Sequence, residues 1–260
     1  MPNVLMTCRR QVGGWVFILL LPFTLVTDAA RYHPISPLPL PPVMIWAWDR
    51  PEDLDFINPA QVGVAFLATH ILVDKRGIRE QPRGNPLWVP TNTIRVAVVR
   101  LEVRPGTTLQ ESHLLATTEA ILGIWRHPRL AAMQLDFEAS LSQRPFYRAL
   151  LNELRRQWPT EIPLSITALA SWCMEQQWLE KLPVDEIVPM AYRMGSEATP
   201  LLRAWLAAGG QFRQPVCHQS LGLATDEPLS LPKAGRRIYL FAPQPWTPTL
   251  LHTMLSRITS

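Results

Sequence analysis

The sequence is poor in the features that name a function most directly. Cysteine occurs only three times in 260 residues. No Cys-x-x-Cys or His-x-His spacing is present, so the usual ligand clusters of a metal centre are missing and no metal is expected. A glycine-rich phosphate fingerprint does not follow the first strand-like segment, which lowers the prospect of a nucleotide-binding, doubly wound open sheet. There is no Gly-x-Ser-x-Gly elbow for a nucleophilic serine. Nothing in the chain asks for a cofactor. Lys and Arg number 25 against 21 Asp and Glu, giving a net charge of +4 and a pI near 9.2. They are scattered, with no basic stripe and no nucleic-acid-binding motif, so no nucleic acid partner is expected. Only one long apolar run occurs.

That run, Trp15 to Val26, follows Arg9-Arg10 and precedes a small-x-small pattern at Thr27-Asp28-Ala29. It is short for a membrane span and Pro22 interrupts it, so residues 1–30 read as a signal peptide or, uncleaved, as an N-terminal anchor. The residues after the twin arginines fit the twin-arginine export route poorly. The protein is therefore expected in the periplasm or outside the cell, touching membrane only through that segment. Cys8 lies before the run and is no lipoprotein anchor. Cys173 and Cys217 remain, able to pair or to stay as separate buried thiols; their spacing does not decide. Residues 31–42 form a proline-rich extended tether.

From residue 43, apolar runs alternate with helical patterns. Strands are predicted at Val43–Trp48, Val62–Leu67, Ile94–Val103, Met133–Glu138, Leu164–Ala170, Ile187–Tyr192, Pro215–Gln219 and Arg237–Phe241. Helical spacing marks Thr108–Trp125, Gln143–Trp158 (from an N-cap at Ser142 to Pro159), Trp172–Leu182, Glu197–Ala208 and Thr249–Arg257. Residues 73–93 read as a loop, and Pro51–Asn58 leaves room for barely two helical turns. About eight strand–helix alternations predict an α/β fold, a single (β/α)8 TIM-type barrel over residues 43–260. No domain boundary is visible inside it, and nothing indicates the oligomeric state.

A barrel of this kind keeps its chemistry at the carboxyl ends of its strands. There the sequence offers Trp46, Trp48 and Asp49; His70; Arg100 and Glu102; Asp136 and Glu138; Trp172; Tyr192 and Arg193; His218; and Trp246. Asp136 and Glu138 stand out. Two residues apart on a strand, they share one face, while Phe137 points the other way. Two acids on one face are costly unless used or paired, which makes them candidates for acid/base work. The ten tryptophans add the flat apolar surfaces on which sugars stack, although an indole serves equally well as core. His70 and His218 read more simply as hydrogen-bonded structural histidines, and Arg100 with Glu102 as an ion pair or part of a mouth network.

Four segments carry a resemblance: Ile45–Leu54, Gln134–Ala139, Leu164–Cys173 and Val184–Gly195. They look like an uncharacterised bacterial family, domain of unknown function 3142, which has no assigned activity. More remotely, the chain resembles the family-18 glycoside hydrolases, the chitinase-like barrels. Those end their fourth strand in Asp-x-Asp-x-Glu, matched here by Asp136 and Glu138, and their sixth in Met-x-Tyr-Asp, matched by Met190 and Tyr192. The resemblance implies a glycan as partner and Glu138 as general acid. Asp136 would orient the sugar's 2-acetamido group, Tyr192 would donate to it, and Trp246 would floor the sugar pocket. Trp46, Trp48, Asp49, Arg100, Glu102, Trp172 and Arg193 would line the substrate. Asp49 also resembles the extra carboxylate of lysozyme-like barrels with an Asp-x-Glu fourth strand, which would make peptidoglycan the substrate.

Two residues depart from the pattern. Gln134 replaces the first Asp of the fourth strand, and Arg193 replaces the Asp of the sixth. An arginine there opposes a general acid unless Glu138 is desolvated. The same departures fit a second reading, a saccharide-binding envelope protein on a decayed hydrolase barrel. The seventh strand offers no acid for a two-carboxylate mechanism, so the hydrolase reading is substrate-assisted.

Overall fold

The structure, a computed structural model, describes residues 39–125, 130–174, 178–195, 198–228 and 235–259. The expected signal segment and residues 31–38 of the tether lie outside the described residues. The strands are β1 (Val43–Ala47), β2 (Glu52–Asp53), β3 (Val62–Asp74), β4 (Gly77–Pro82), β5 (Leu87–Trp88), β6 (Arg95–Val103), β7 (Ala132–Asp136), β8 (Leu164–Leu169), β9 (Glu186–Met190), β10 (Ser220–Ala224) and β11 (Arg237–Phe241). The helices are α1 (Glu111–Trp125), α2 (Arg144–Gln157), α3 (Ala170–Met174), α4 (Ala198–Ala207) and α5 (Pro248–Thr259).

Eight of these strands, β1, β3 and β6 to β11, run parallel, and β11 returns to pair with β1, closing the barrel. Side-chain alternation sorts each strand into two cores. Met44, Trp46, Ala65, Val96, Val98, Val188 and Tyr239 fill the lumen. Ile45, Val64, Val99, Leu135, Ile166 and Ile187 face the outer helices. Strands buried on both faces read as unbroken apolar runs, which is why β1 was legible. Helix α2 shows the outer side of this packing: Tyr147, Leu150, Leu151 and Leu154 are buried at helical spacing. Its lead-in turn begins at Ser140, whose N–H donates to the Gln143 side chain at 2.9 Å, rather than at Ser142.

The structure departs from the prediction in three further places. Residues 73–93 are not a loop. β3 runs on to Asp74 beyond the reach of β1, and β4 pairs antiparallel along the edge so exposed, while β5 pairs with β2. β4 (Gly-Ile-Arg-Glu-Gln-Pro) is polar on both faces, as an edge strand can be, and so carries no period-two signal. The seventh barrel strand is Ser220–Ala224, not Pro215–Gln219, where a 3-10 turn lies instead. Gly222 explains the small residues of β10: a Cβ there would stand 3.0 Å from the Trp46 ring. Among the described residues helix α3 runs from Ala170 to Met174 and residues 178–182 are not helical, so it does not reach Leu182. Cys173, on α3, and Cys217, in the 3-10 turn, form a disulfide with a Cα–Cα distance of 6.0 Å.

Candidate active site at the barrel mouth

The carboxyl ends of β6, β7 and β8 meet at Asp136. Its Oδ2 accepts a hydrogen bond from Arg100 Nη1 and its Oδ1 one from Thr167 Oγ1, both at 2.6 Å. The residue is buried at 3% exposure. Arg100 and Asp136 are direct register partners on adjacent parallel strands, so the ion pair follows from the sheet itself. The same guanidinium reaches outward, placing Nη2 3.6 Å from Glu138 Oε1. The Glu138 side chain is 50% exposed. Arg100 therefore bridges a buried acid and a half-exposed one. Burial alone would weaken its hold on its proton, but Asp136, Glu138 and Glu102 outweigh that and raise its pKa.

An aromatic group faces this triad. The Tyr192 ring stacks on Phe241 at 5.6 Å and lies 6.4 Å from Trp46, and Trp48 meets Phe241 edge-on. Burial, and next the negative charge of Asp136, raise the Tyr192 pKa, so the phenol keeps its proton and can donate it in a hydrogen bond. Arg193 has a left-handed backbone (φ 52°), and its N–H donates to Glu227 Oε1. Its guanidinium lies 4.9 Å over the Phe241 ring and pairs with Asp226. On the opposite wall His70 Nε2 lies 3.3 Å from Glu102 Oε2.

Below the mouth the lumen holds a continuous polar chain. Glu186 accepts hydrogen bonds from Ser165, Ser220, Tyr239 and Arg237 at the base of the barrel. Gln134 Nε2 donates to Ser165, and Gln134 Oε1 accepts from Trp46 Nε1 at 2.8 Å. Gln134 thus couples the base of the barrel to the floor of the mouth.

Several expected contacts are elsewhere. Trp246, 4% exposed, donates its indole N–H to the Trp46 carbonyl and is core, not a pocket floor. Trp172 is buried outside the barrel, edge-on to Trp178 and beside Arg144. Asp49 is occupied by Gly84 N–H, Asn85 N–H and Asn85 Nδ2, pinning the segment that leads to β5. Desolvation would raise its pKa, but those hydrogen bonds and Arg83 lower it. Trp46 is floor beneath the mouth, too buried to be an open stacking platform. His218 Nε2 lies 2.7 Å from the Phe212 carbonyl, a structural role. Sequence reasoning missed Thr167, Phe241 and Glu186. Ser165 and Thr167, polar at i and i+2 inside an apolar strand, were the available signal for a polar lumen face.

Residues 91–194 match DUF3142, a domain of unknown function. The DUF3142 span contains Arg100, Glu102, Asp136, Glu138, Thr167, Tyr192 and Arg193, most of the mouth just described. None of the curated proteins matches the chain. Among solved structures, the spore cortex-lytic enzyme SleL of Bacillus cereus is similar, at 15% identity and a TM-score of 0.44. That match covers 70% of this chain and 50% of SleL, so the chain spans about half the length of that enzyme. A groove of about 790 Å3 lies on the outer wall, between α1 and β3–β4, and none of the mouth residues lines it.

Proposed function

We propose that this barrel is an exported glycoside hydrolase-like protein whose mouth takes an envelope or extracellular glycan, with Glu138 as proton donor to the glycosidic oxygen. The observation that carries the reading is the half-exposed Glu138 carboxyl beside the buried Asp136–Arg100 pair at the strand ends. Glycosidic cleavage needs an acid on the leaving oxygen and negative charge near the developing oxocarbenium ion. Glu138 supplies the first. Asp136, paired with Arg100 and hydrogen-bonded by Thr167, supplies the second from beneath. Tyr192 is the donor available to a 2-acetamido oxygen in a substrate-assisted attack, and Trp48 with Phe241 gives the sugar an apolar face. Asp136, with both oxygens engaged and little surface, contributes to that route through its charge. The Cys173–Cys217 disulfide supports an oxidising compartment, as expected for the periplasm or the cell exterior.

Glu138→Gln keeps the shape and removes the proton. It is expected to lower hydrolysis of an N-acetylglucosamine-containing polymer by about 100-fold or more, with binding retained. Full activity in that variant removes the assignment. One observation favours a second reading, a non-catalytic saccharide-binding protein: Arg100 also lies within ion-pair distance of Glu138. Glycan binding by the wild type without turnover would establish it.

A further inference from the structure

The mouth has an acid in Glu138, but neither Asp136 nor Tyr192 is free to take a proton from water. Asp136 is engaged at both oxygens and Tyr192 keeps its own proton. The opposite wall supplies the missing group. β3 carries a bulge between Leu67 and Thr69, where its pairing with β6 shifts by one residue. Ala65 faces the lumen, so an unbroken strand would send Thr69 inward and His70 outward. With the bulge, Thr69 pairs with outward-facing Val99, and His70 becomes the register partner of Arg100. A one-residue slip flips every side chain beyond it, and bulges recur where a strand must re-aim a residue next to an active site.

His70, Arg100 and Asp136 therefore stand in one row across β3, β6 and β7, with Glu102 and Glu138 above them. His70 Nε2 faces Glu102 Oε2 at 3.3 Å; both side chains are partly exposed, although Nε2 itself is enclosed. The contact is not aligned as a hydrogen bond, and such pairs often tighten only with substrate in place. A carboxylate at Nε2 holds the N–H there and leaves the Nδ1 lone pair as a base.

We infer that His70, oriented by Glu102, is the base that activates water at this mouth; the inference rests on Glu138 being the acid. Nδ1 takes a proton from water as the water oxygen bonds to the anomeric carbon. The glycosidic C–O bond breaks, and the leaving oxygen takes the Glu138 proton. His70 then returns its proton to solvent and Glu138 is reprotonated. Direct attack by a base-activated water, with the leaving oxygen protonated by a separate acid, inverts the anomeric centre. Attack by the sugar's own 2-acetamido group would retain it, so the anomer formed first distinguishes the two routes to the same Glu138 acid.

The test uses the full chain with chitopentaose and purified peptidoglycan as probes, reading the first-formed anomer by proton NMR. The expected result is inversion, with His70→Ala slowed about 100-fold or more and Glu102→Gln slowed less. Sodium azide, a nucleophile that needs no base, should restore turnover in His70→Ala. Should that variant fail to fold, His70→Asn gives the same reading. Retention of configuration, or His70→Ala within about threefold of wild type while Glu138→Gln is inactive, overturns the inference and leaves Glu138 in place. No wild-type turnover of either probe overturns both.

Discussion

At the scale of single residues, Gln134 carries the most explanation. It departs from the acid expected there because Glu186 already places a carboxylate in the lumen, where Arg237 and three hydroxyls satisfy it. Trp46 can only donate, so the Gln134 oxygen must face it and the amide N–H2 must face Ser165. A second carboxylate would be buried without a cation. Gln134→Glu is therefore expected to destabilise the protein by roughly 3–5 kcal/mol in chemical denaturation. Gln134→Leu strands the Trp46 N–H and should remove about 1–3 kcal/mol. Equal stability of the two variants would contradict this account. The acids at 136 and 138 were legible because strand alternation exposes them in an apolar run. The fates of Trp172 and Trp246 were not, because an indole suits a wet cleft and a dry core equally well, and only packing decides.

Among the elements, β3 holds the main departure. Its first half was readable as an apolar run; its second half, its bulge and its partner β4 were not. A bulge leaves no compositional mark, and β4 is held by β3 rather than by its own pattern. The seventh strand was misplaced for a related reason: Gly222 is small because the Trp46 ring leaves no room for a Cβ, and Ser220 is polar because it donates to Glu186, so neither marks a turn. Helix α3 is tied to the turn before β10 by the one described disulfide, across 44 residues of chain. Loop-closure entropy for that length is worth about 4 kcal/mol, between the values for 15 and 100 residues. The double variant Cys173→Ala/Cys217→Ala is expected to lose most of that in equilibrium unfolding and to become insensitive to dithiothreitol. An unchanged midpoint would place the two sulfurs apart in solution.

For the molecule as a whole, barrel closure was the most legible property, since eight alternations leave few other ways to bury both faces of a parallel sheet. The polar interior was less so, because no single residue announces a lumen-facing pair. That interior and its outer layer also enclose three of the four tyrosines, Tyr147, Tyr192 and Tyr239. Burial first, and then the negative charge of Asp136 or Glu186, raises all three above the ordinary phenol value. An unfolded chain releases those protons near pH 10, the native one only higher. Stability is thus complete below pH 10 and falls as pH rises beyond it. Tyrosinate absorbance at 295 nm should then appear not as a gradual titration but in one step with loss of far-ultraviolet circular dichroism. The protein carries its own optical indicator of alkaline collapse, silent for as long as the barrel is shut.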